Sequence, residues 1–184
     1  MDVTLWPVRV AGDAPPCGAA RFSDDRKYRY LLGRRIGLGP SALWLMLNPS
    51  TADASVDDQT VRKVIAFCGL WGYGQAIIAN LFALRATKPA MLLEASDPVG
   101  PENDDYLMAA FEELRRSGSG VVVCAWGSWC ARQKRRQEIA NRPFRVLAML
   151  KSAGLVPHAL RVTKHLAPAH PLYLPSSTTL RQWL

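Results

Sequence analysis

The chain has few cysteines and no local metal-binding pattern. Its four cysteines, Cys17, Cys68, Cys124 and Cys130, lie far apart or inside apolar segments, and none forms a Cys-x-x-Cys pair. This spacing favours reduced, partly buried thiols. A zinc or iron–sulfur site would need ligands from remote segments, without a local chelating pair. We therefore expect neither a metal nor another cofactor.

Nucleotide-binding and membrane signals are also missing. The sequence has no Walker pattern, and Gly37-Leu38-Gly39 lacks the third glycine and the following helix that a dinucleotide site needs. No stretch approaches a membrane span, and the residues from Met1 to Thr4 do not begin a signal or transit peptide. These absences argue against nucleoside triphosphate chemistry of the Walker type and predict a cytoplasmic protein. No feature identifies a protein partner.

Length and composition predict one compact domain. The chain has 184 residues, of which 49% are hydrophobic, enough for one core and short for two. Residues 1–25 contain Pro7, Pro15 and Pro16 without clear periodicity, which predicts an extended N-terminal segment. We assign residues 26–184 to a single domain.

The charge balance favours a polyanionic partner, with DNA or another nucleic acid as the expected one. The formal net charge is +8. Such an excess is typical of nucleic-acid binding. A solvated helix face is the alternative interpretation of the basic run. The residues that we expect to contact a nucleic-acid backbone are Arg132, Lys134, Arg135, Arg136 and Lys164.

Alternating strands and helices predict the fold class. Apolar runs predict strands at 43–47, 76–79 and 121–125, with a weaker strand at 156–162. An early strand around Tyr28 and Tyr30 is expected to pair with the strand before Asn48 as an antiparallel hairpin. The rhythm predicts a three-layer α/β/α sandwich with a mainly parallel central sheet. Helices are predicted around 61–68, 89–95, 106–114 and 129–139, and from Pro143 to Leu150.

Polar or aromatic residues follow three of the predicted strands, those at 43–47, 76–79 and 121–125. Asn48 ends the first, where Pro49 cannot continue a central ladder; Asn80 ends the second, and Trp126 follows the third. His170 lies on a proline-rich loop near the C-terminus. Ligands of open α/β sheets bind at such strand ends, so these side chains are expected to converge. Either asparagine could instead close a turn, and most of the aromatic rings could serve core packing.

An acidic, hydroxyl-rich stretch follows the first strand and contains Asp53, Asp57 and Asp58. A magnesium site or a base-activating group is one interpretation. Capping of the following helix by Asp57 or Asp58 is the better-supported one, because no second carboxylate cluster is present.

Five segments together resemble a domain family of unknown function from bacteria and phages, over about residues 27–174. They are 46–53 (MLNPSTAD), 71–74 (WGYG), 80–87 (NLFALRAT), 97–104 (DPVGPEND) and 170–174 (HPLYL). The order of strand-Asn48-Pro49, strand-Asn80, strand-Trp126 and loop-His170 also resembles that of the uracil-DNA glycosylase superfamily, especially its mismatch-specific branch.

The second resemblance implies a uracil-DNA glycosylase-like fold and a hydrolase of DNA repair or modification, which removes a damaged, mispaired or modified base. By resemblance, Asn48 positions water, Asn80 reads the base edge and His170 stabilises the leaving base. Two alternatives stay open: a non-catalytic module that binds nucleic acid or a modified base, and an enzyme that acts on a free nucleotide or nucleoside. The further residues expected to contact the base are Trp126, Ser50 and Phe82.

Overall fold

The computed structural model describes residues 18–184. Cys17 and most of the predicted N-terminal segment lie outside this range. The described chain forms a mixed α/β structure with a seven-stranded sheet and three α-helices. The strands are β1 Gly18–Phe22, β2 Arg29–Arg35, β3 Ser41–Met46, β4 Gln75–Asn80, β5 Val121–Cys124, β6 Pro157–Ala159 and β7 Arg181–Gln182. The helices are α1 Gln59–Leu70, α2 Asn103–Ser117 and α3 Gln137–Ser152, with 3₁₀ turns at Pro89–Leu93, Cys130–Arg132 and Pro171–Tyr173.

The sheet has the strand order β1-β2-β4-β3-β5-β6-β7. Its four inner strands β4, β3, β5 and β6 are parallel, whereas β1, β2 and β7 join by antiparallel pairings. The chain leaves β3 towards β4 and then crosses back to β5 on the other side of β3. Open α/β sheets bind their ligands at such a reversal of strand order, outside the carboxyl ends of the strands.

The central strand β3 is buried on both faces, as its apolar run predicts. Leu43 and Leu45 belong to a hydrophobic cluster that contains residues of α2 and α3. Trp44 and Met46 belong to a second cluster, which contains residues of α1. Successive side chains of a strand point to opposite faces, so α1 covers one face and α2 and α3 cover the other.

The predicted hairpin between the early strand and β3 is wrong. β2 pairs with β1 and β4, and β4 separates it from β3. The connection from β2 to β3 therefore passes the start of β4. Glycine permits this close approach, because a Cβ on Gly74 would lie 2.6 Å from the carbonyl oxygen of Gly37.

The predicted helix at 129–139 is also wrong. Residues Cys130–Arg132 form only a 3₁₀ turn, and α3 begins at Gln137 and continues through Pro143. Pro143 therefore does not begin a helix, although it lacks a backbone donor. Tertiary packing outweighs this defect, because the apolar stripe of α3 packs against the sheet with Ile139, Val146, Leu147 and Leu150.

Other predicted elements are confirmed with altered bounds. Asp58 caps α1 by accepting the backbone N–H of Val61 at 2.8 Å. The short helix expected at 89–95 is the 3₁₀ turn Pro89–Leu93, and the strand expected at 156–162 is only Pro157–Ala159. β6 ends early because the chain turns back on itself, with the Ala169 N–H donating to the Arg161 carbonyl oxygen at 2.8 Å.

Residues 18–22 were expected in the extended N-terminal segment, but they form the edge strand β1 and belong to the sheet. The three described cysteines are free and buried, as predicted. Burial raises the pKa of Cys68 to about 11 and that of Cys130 to about 12. No helix among residues 18–184 combines the length and apolar character needed to cross a membrane.

Candidate functional site

A cavity of about 550 Å³ opens at the carboxyl ends of β3, β4 and β5. It brings together residues from segments that are far apart in the sequence, as the strand-end pattern predicts. The predicted site residues that border it are Asn48, Ser50, Asn80, Trp126, Arg132 and His170. Register explains part of this convergence, because Met46 pairs with Asn80 and Leu45 with Cys124, so the three strands end side by side.

Asn48 is held in one orientation by backbone groups. Its Nδ2 donates to the carbonyl oxygen of Ala86 at 2.7 Å and to that of Pro49 at 3.0 Å. The Ala86 N–H in turn donates to Pro49 at 2.9 Å, which ties the two loops together. Both amide hydrogens are therefore used by the loops, which leaves Oδ1 as the acceptor that Asn48 can offer to a water molecule.

Asn80 is the most unusual residue of the cavity. It is only 1% exposed, yet neither Oδ1 nor Nδ2 has a hydrogen-bond partner among the described residues. A buried amide without partners costs free energy, and most buried polar atoms in native proteins are paired. An unpaired donor and acceptor beside a cavity can be satisfied by a ligand that offers the complementary pair.

Hydrogen bonds from α2 and α3 fix the backbone at Asn80 and Leu81. Asn103 of α2 donates from Nδ2 to the carbonyl oxygens of Asn80 and Leu81, at 3.1 and 3.2 Å. Arg142 of α3 donates from Nε to the same Leu81 oxygen at 2.7 Å and forms an ion pair with Asp104. These contacts anchor the end of β4, so the Asn80 side chain is presented from a rigid support.

His170 borders the cavity on the loop that precedes the last 3₁₀ turn. Its Nδ1 accepts the Leu172 N–H at 3.3 Å, so the neutral ring carries its proton on Nε2. Burial lowers the pKa of His170, and the Asp58 carboxylate opposes this shift. The loop is tied to the end of β5 by a hydrogen bond of 2.9 Å from the Gly127 N–H to the Pro168 carbonyl oxygen.

The residues predicted to contact a base are not equivalent. Ser50 and Trp126 border the cavity. Trp126 is also part of the core, only 3% exposed and packed edge-on against Trp183 at 5.7 Å between ring centroids. Phe82 does not border the cavity, because its ring is buried in the cluster formed with α2 and α3. The prediction of Phe82 as a base-contacting residue is therefore corrected to core packing.

The basic residues are exposed but scattered. Arg132 borders the cavity, whereas Arg135 and Arg136 line a separate groove beside the 3₁₀ turn Pro89–Leu93. Lys134 is exposed between them, and Lys164 is exposed on the turn between β6 and His170. These residues do not form a helix face, since the segment from 130 to 136 is a turn and α3 begins only after it.

Sequence reasoning missed two charged residues of the cavity. Arg29 reaches it from β2, and Asp58 reaches it from the N-cap of α1. The alternation around Tyr28 predicted a strand, but gave no sign that Arg29 would be buried. Asp58 was predicted only as a cap. The position of Arg29 follows only from the sheet order, because β2 lies next to β4. Among residues 18–184, no group of three metal-ligating side chains could hold an ion.

Replacing Asn48 by aspartate is expected to lower the free energy of unfolding by about 1–3 kcal/mol at neutral pH. The new carboxylate would face the carbonyl oxygens of Ala86 and Pro49 and could not donate to them. The same repulsion raises the pKa of the new carboxyl group in the folded protein. The charge-dependent part of the loss should therefore be absent below the unfolded pKa of about 3.9 and grow as the pH rises above it.

Urea unfolding of Asn48→Asp over a range of pH measures this effect. Asn48→Ala is the matched control, because it removes the same donor without adding a charge and should show no such added pH dependence. Equal stability of Asn48→Asp and the unsubstituted protein at neutral pH would contradict the orientation assigned to the Asn48 amide.

Comparison with known proteins assigns the chain to a family but does not assign it an activity. No curated protein and no solved structure matches the chain. A family model described as a protein of unknown function, DUF1643, matches residues 29–172, from the start of β2 to the 3₁₀ turn after His170. This match includes Asn48, Asn80 and His170 and covers most of the described chain, so the protein belongs to the DUF1643 family.

Proposed function

We propose that this protein is an N-glycosylase that removes a damaged, mispaired or modified base from DNA, on a three-layer α/β/α fold of the uracil-DNA glycosylase type. The observation that carries the proposal is the unpaired, buried amide of Asn80 beside the cavity. A pyrimidine edge presents neighbouring donor and acceptor groups, which match the two atoms of a side-chain amide. The packing of α1 against one face of the sheet and of α2 and α3 against the other supports the proposed fold.

The cavity contains groups suited to both halves of the reaction. A water molecule oriented by Asn48 Oδ1 attacks C1′ of the sugar while the bond between C1′ and the base nitrogen breaks, and the bonding electrons leave with the base. The Nε2 proton of His170 stabilises the negative charge on the departing base. The attacking water gives up a proton to solvent, and the departing base takes one from solvent. Because an amide is a weak base, a slow enzyme or a labile substrate base is expected.

Exposed basic side chains near the cavity support the proposed contact with DNA. The exposed side chains of Arg132, Lys134, Arg135 and Arg136 follow β5, and Arg132 stands at the cavity itself. A target base would have to leave the duplex stack to reach Asn80, which costs least for mispaired or single-stranded substrates.

The test is incubation of the protein with single- and double-stranded DNA containing uracil, hypoxanthine, thymine mispairs or hypermodified pyrimidines, followed by alkaline cleavage at abasic sites. Cleavage of at least one substrate, lost in Asn48→Ala with folding retained, is the expected result. Intact DNA with every substrate would refute the glycosylase.

A base-binding module without chemistry is the second candidate. It is favoured by the cavity's shortage of a strong base, since Asn48 is neutral and Asp58 uses Oδ1 to cap α1. It predicts salt-dependent DNA binding without abasic product. An enzyme for free nucleotides would instead keep its activity after neutralisation of Arg132, Lys134, Arg135 and Arg136, whereas a DNA-directed protein would lose affinity.

Substituting alanine for His170 is expected to slow base release by about 10²–10³-fold, because the donor to the departing base is lost. Single-turnover rates measured with the best substrate of the panel check this. His170→Gln keeps a side-chain donor and is expected to retain more activity than His170→Ala. Equal rates for His170→Ala and the unsubstituted protein would remove His170 from the mechanism.

A further inference from the structure

Arg29 is a buried cation at the cavity. It is only 2% exposed and borders the same cavity as Asn80. Its Nη1 donates to the carbonyl oxygen of Ala52 at 2.7 Å, whereas its Nε is buried without a partner among the described residues. Burial lowers the pKa of Arg29 to about 10, so the guanidinium stays charged at neutral pH.

The other two buried arginines of the described chain have carboxylate partners. Arg34 pairs with Asp57 at 2.7 Å, and Arg142 pairs with Asp104. Arg29 forms no such pair within 4.0 Å with any carboxylate of residues 18–184, although proteins rarely bury a charge without a partner. The difference marks Arg29 as a cation whose partner comes from outside the described chain.

The two carboxylates that act on Arg29 through space, Asp58 and Asp53, form hydrogen bonds with other groups. Asp58 accepts the Val61 N–H with Oδ1 and so caps α1. Asp53 accepts the N–H groups of Ser55 and Val56, both at 2.9 Å. Both carboxylates contribute to the electrostatic environment of Arg29, and the cations Arg34 and Arg85 oppose them. The guanidinium is therefore not neutralised by a direct contact.

Apart from the Asp58 carboxylate, other parts of the cavity wall also suit an anion. The first turn of α1 borders it with Gln59 and Thr60, and the N-terminal end of a helix carries a partial positive charge. Arg132 adds an exposed cation at the same cavity. Asn80 supplies the unpaired amide that can read a ring edge.

We propose that the cavity binds a pyrimidine that carries an anionic group, with Arg29 as the charge partner and Asn80 as the reader of the ring edge. This rests on the proposed function only in taking the ligand to be a nucleobase. The negative charge could belong to an acidic substituent on the ring or to the phosphate of a nucleotide, and both would meet the guanidinium as a charge-assisted hydrogen-bonded pair.

Two matched ligand pairs test the proposal by isothermal titration calorimetry on the full chain. Orotate differs from uracil by a ring carboxylate, and deoxyuridine 5′-monophosphate differs from deoxyuridine by a phosphate. In at least one pair, the anionic member is expected to bind about ten- to a hundredfold more tightly. A preference in the first pair places the charge on the ring, and a preference in the second places it on the phosphate.

The substitution Arg29→Gln is expected to abolish this preference while the neutral members bind as before. Arg29→Lys should keep part of the preference, because it keeps the charge but not the fork of donors. Arg116→Gln is the control, since it removes an exposed cation of α2 that does not border the cavity and should leave the preference intact. Circular dichroism confirms that each variant folds.

Three results would overturn the proposal: equal affinities within both pairs, a preference that survives in folded Arg29→Gln, or no measurable binding of either anion. The glycosylase proposal fails separately. If the anions bind through Arg29 and no DNA substrate is cleaved, the anion site stands and the cleavage reaction does not.

Discussion

Exchanging Asn80 for leucine is expected to raise the free energy of unfolding by about 1–3 kcal/mol while base recognition is lost. Leucine has nearly the shape of asparagine and needs no hydrogen-bond partners. Both polar atoms of Asn80 are buried and unpaired in the described structure, so the exchange removes a desolvation cost. A residue that lowers stability where it stands is typical of a functional site.

The matched control is Asn103→Leu. Asn103 is also a fully buried asparagine, but its Nδ2 is bonded to the carbonyl oxygens of Asn80 and Leu81. Its replacement should destabilise the fold by about 1–3 kcal/mol, because these carbonyl groups lose a donor. Urea unfolding of both variants, with base release or ligand binding measured in parallel, gives the comparison. A loss of stability in Asn80→Leu as large as that in Asn103→Leu would make Asn80 a structural residue.

Much of the cavity could be anticipated because its residues follow parallel strands. The apolar runs of β3, β4 and β5 each end in a polar or aromatic residue, and parallel strands place their carboxyl ends at one edge of the sheet. Local pattern and sheet geometry therefore suffice to bring Asn48 and Asn80 together. Their distances to other groups, and the lack of partners for Asn80, depend on packing that a single sequence does not display.

The missed features depend on contacts between distant segments. The strand around Tyr30 was expected beside β3, and only the observed order, with β4 in between, brings Arg29 to the cavity. Phe82 lies two residues after Asn80, but its ring packs in the core. Closeness to Asn80 in sequence therefore did not place Phe82 at the cavity. The extent of α3 was missed because its packing against the sheet outweighs the local signal of Pro143.

The substitution of alanine for Asp104 is expected to destabilise the protein by about 3 kcal/mol. Arg142 is almost fully buried, and Asp104 is the carboxylate that pairs with it. Removing Asp104 leaves a buried guanidinium without a counter-charge. Because Arg142 also holds the Leu81 carbonyl oxygen, the end of β4 should loosen and the affinity of the cavity for ligands should fall as well.

The counterpart substitution Arg142→Met should cost less than Asp104→Ala. Asp104 keeps its second partner, Arg145, at 2.8 Å, and the Leu81 carbonyl oxygen keeps the donor from Asn103. Adding Arg142→Met to Asp104→Ala should therefore recover part of the lost stability, because the uncompensated charge disappears. Arg145→Ala is the control: its side chain is 71% exposed, and its loss should change stability by only about 0–1 kcal/mol. Urea unfolding of these four variants gives the comparison. If the double variant is less stable than Asp104→Ala, the unpaired charge of Arg142 is not the cause of the stability lost in Asp104→Ala.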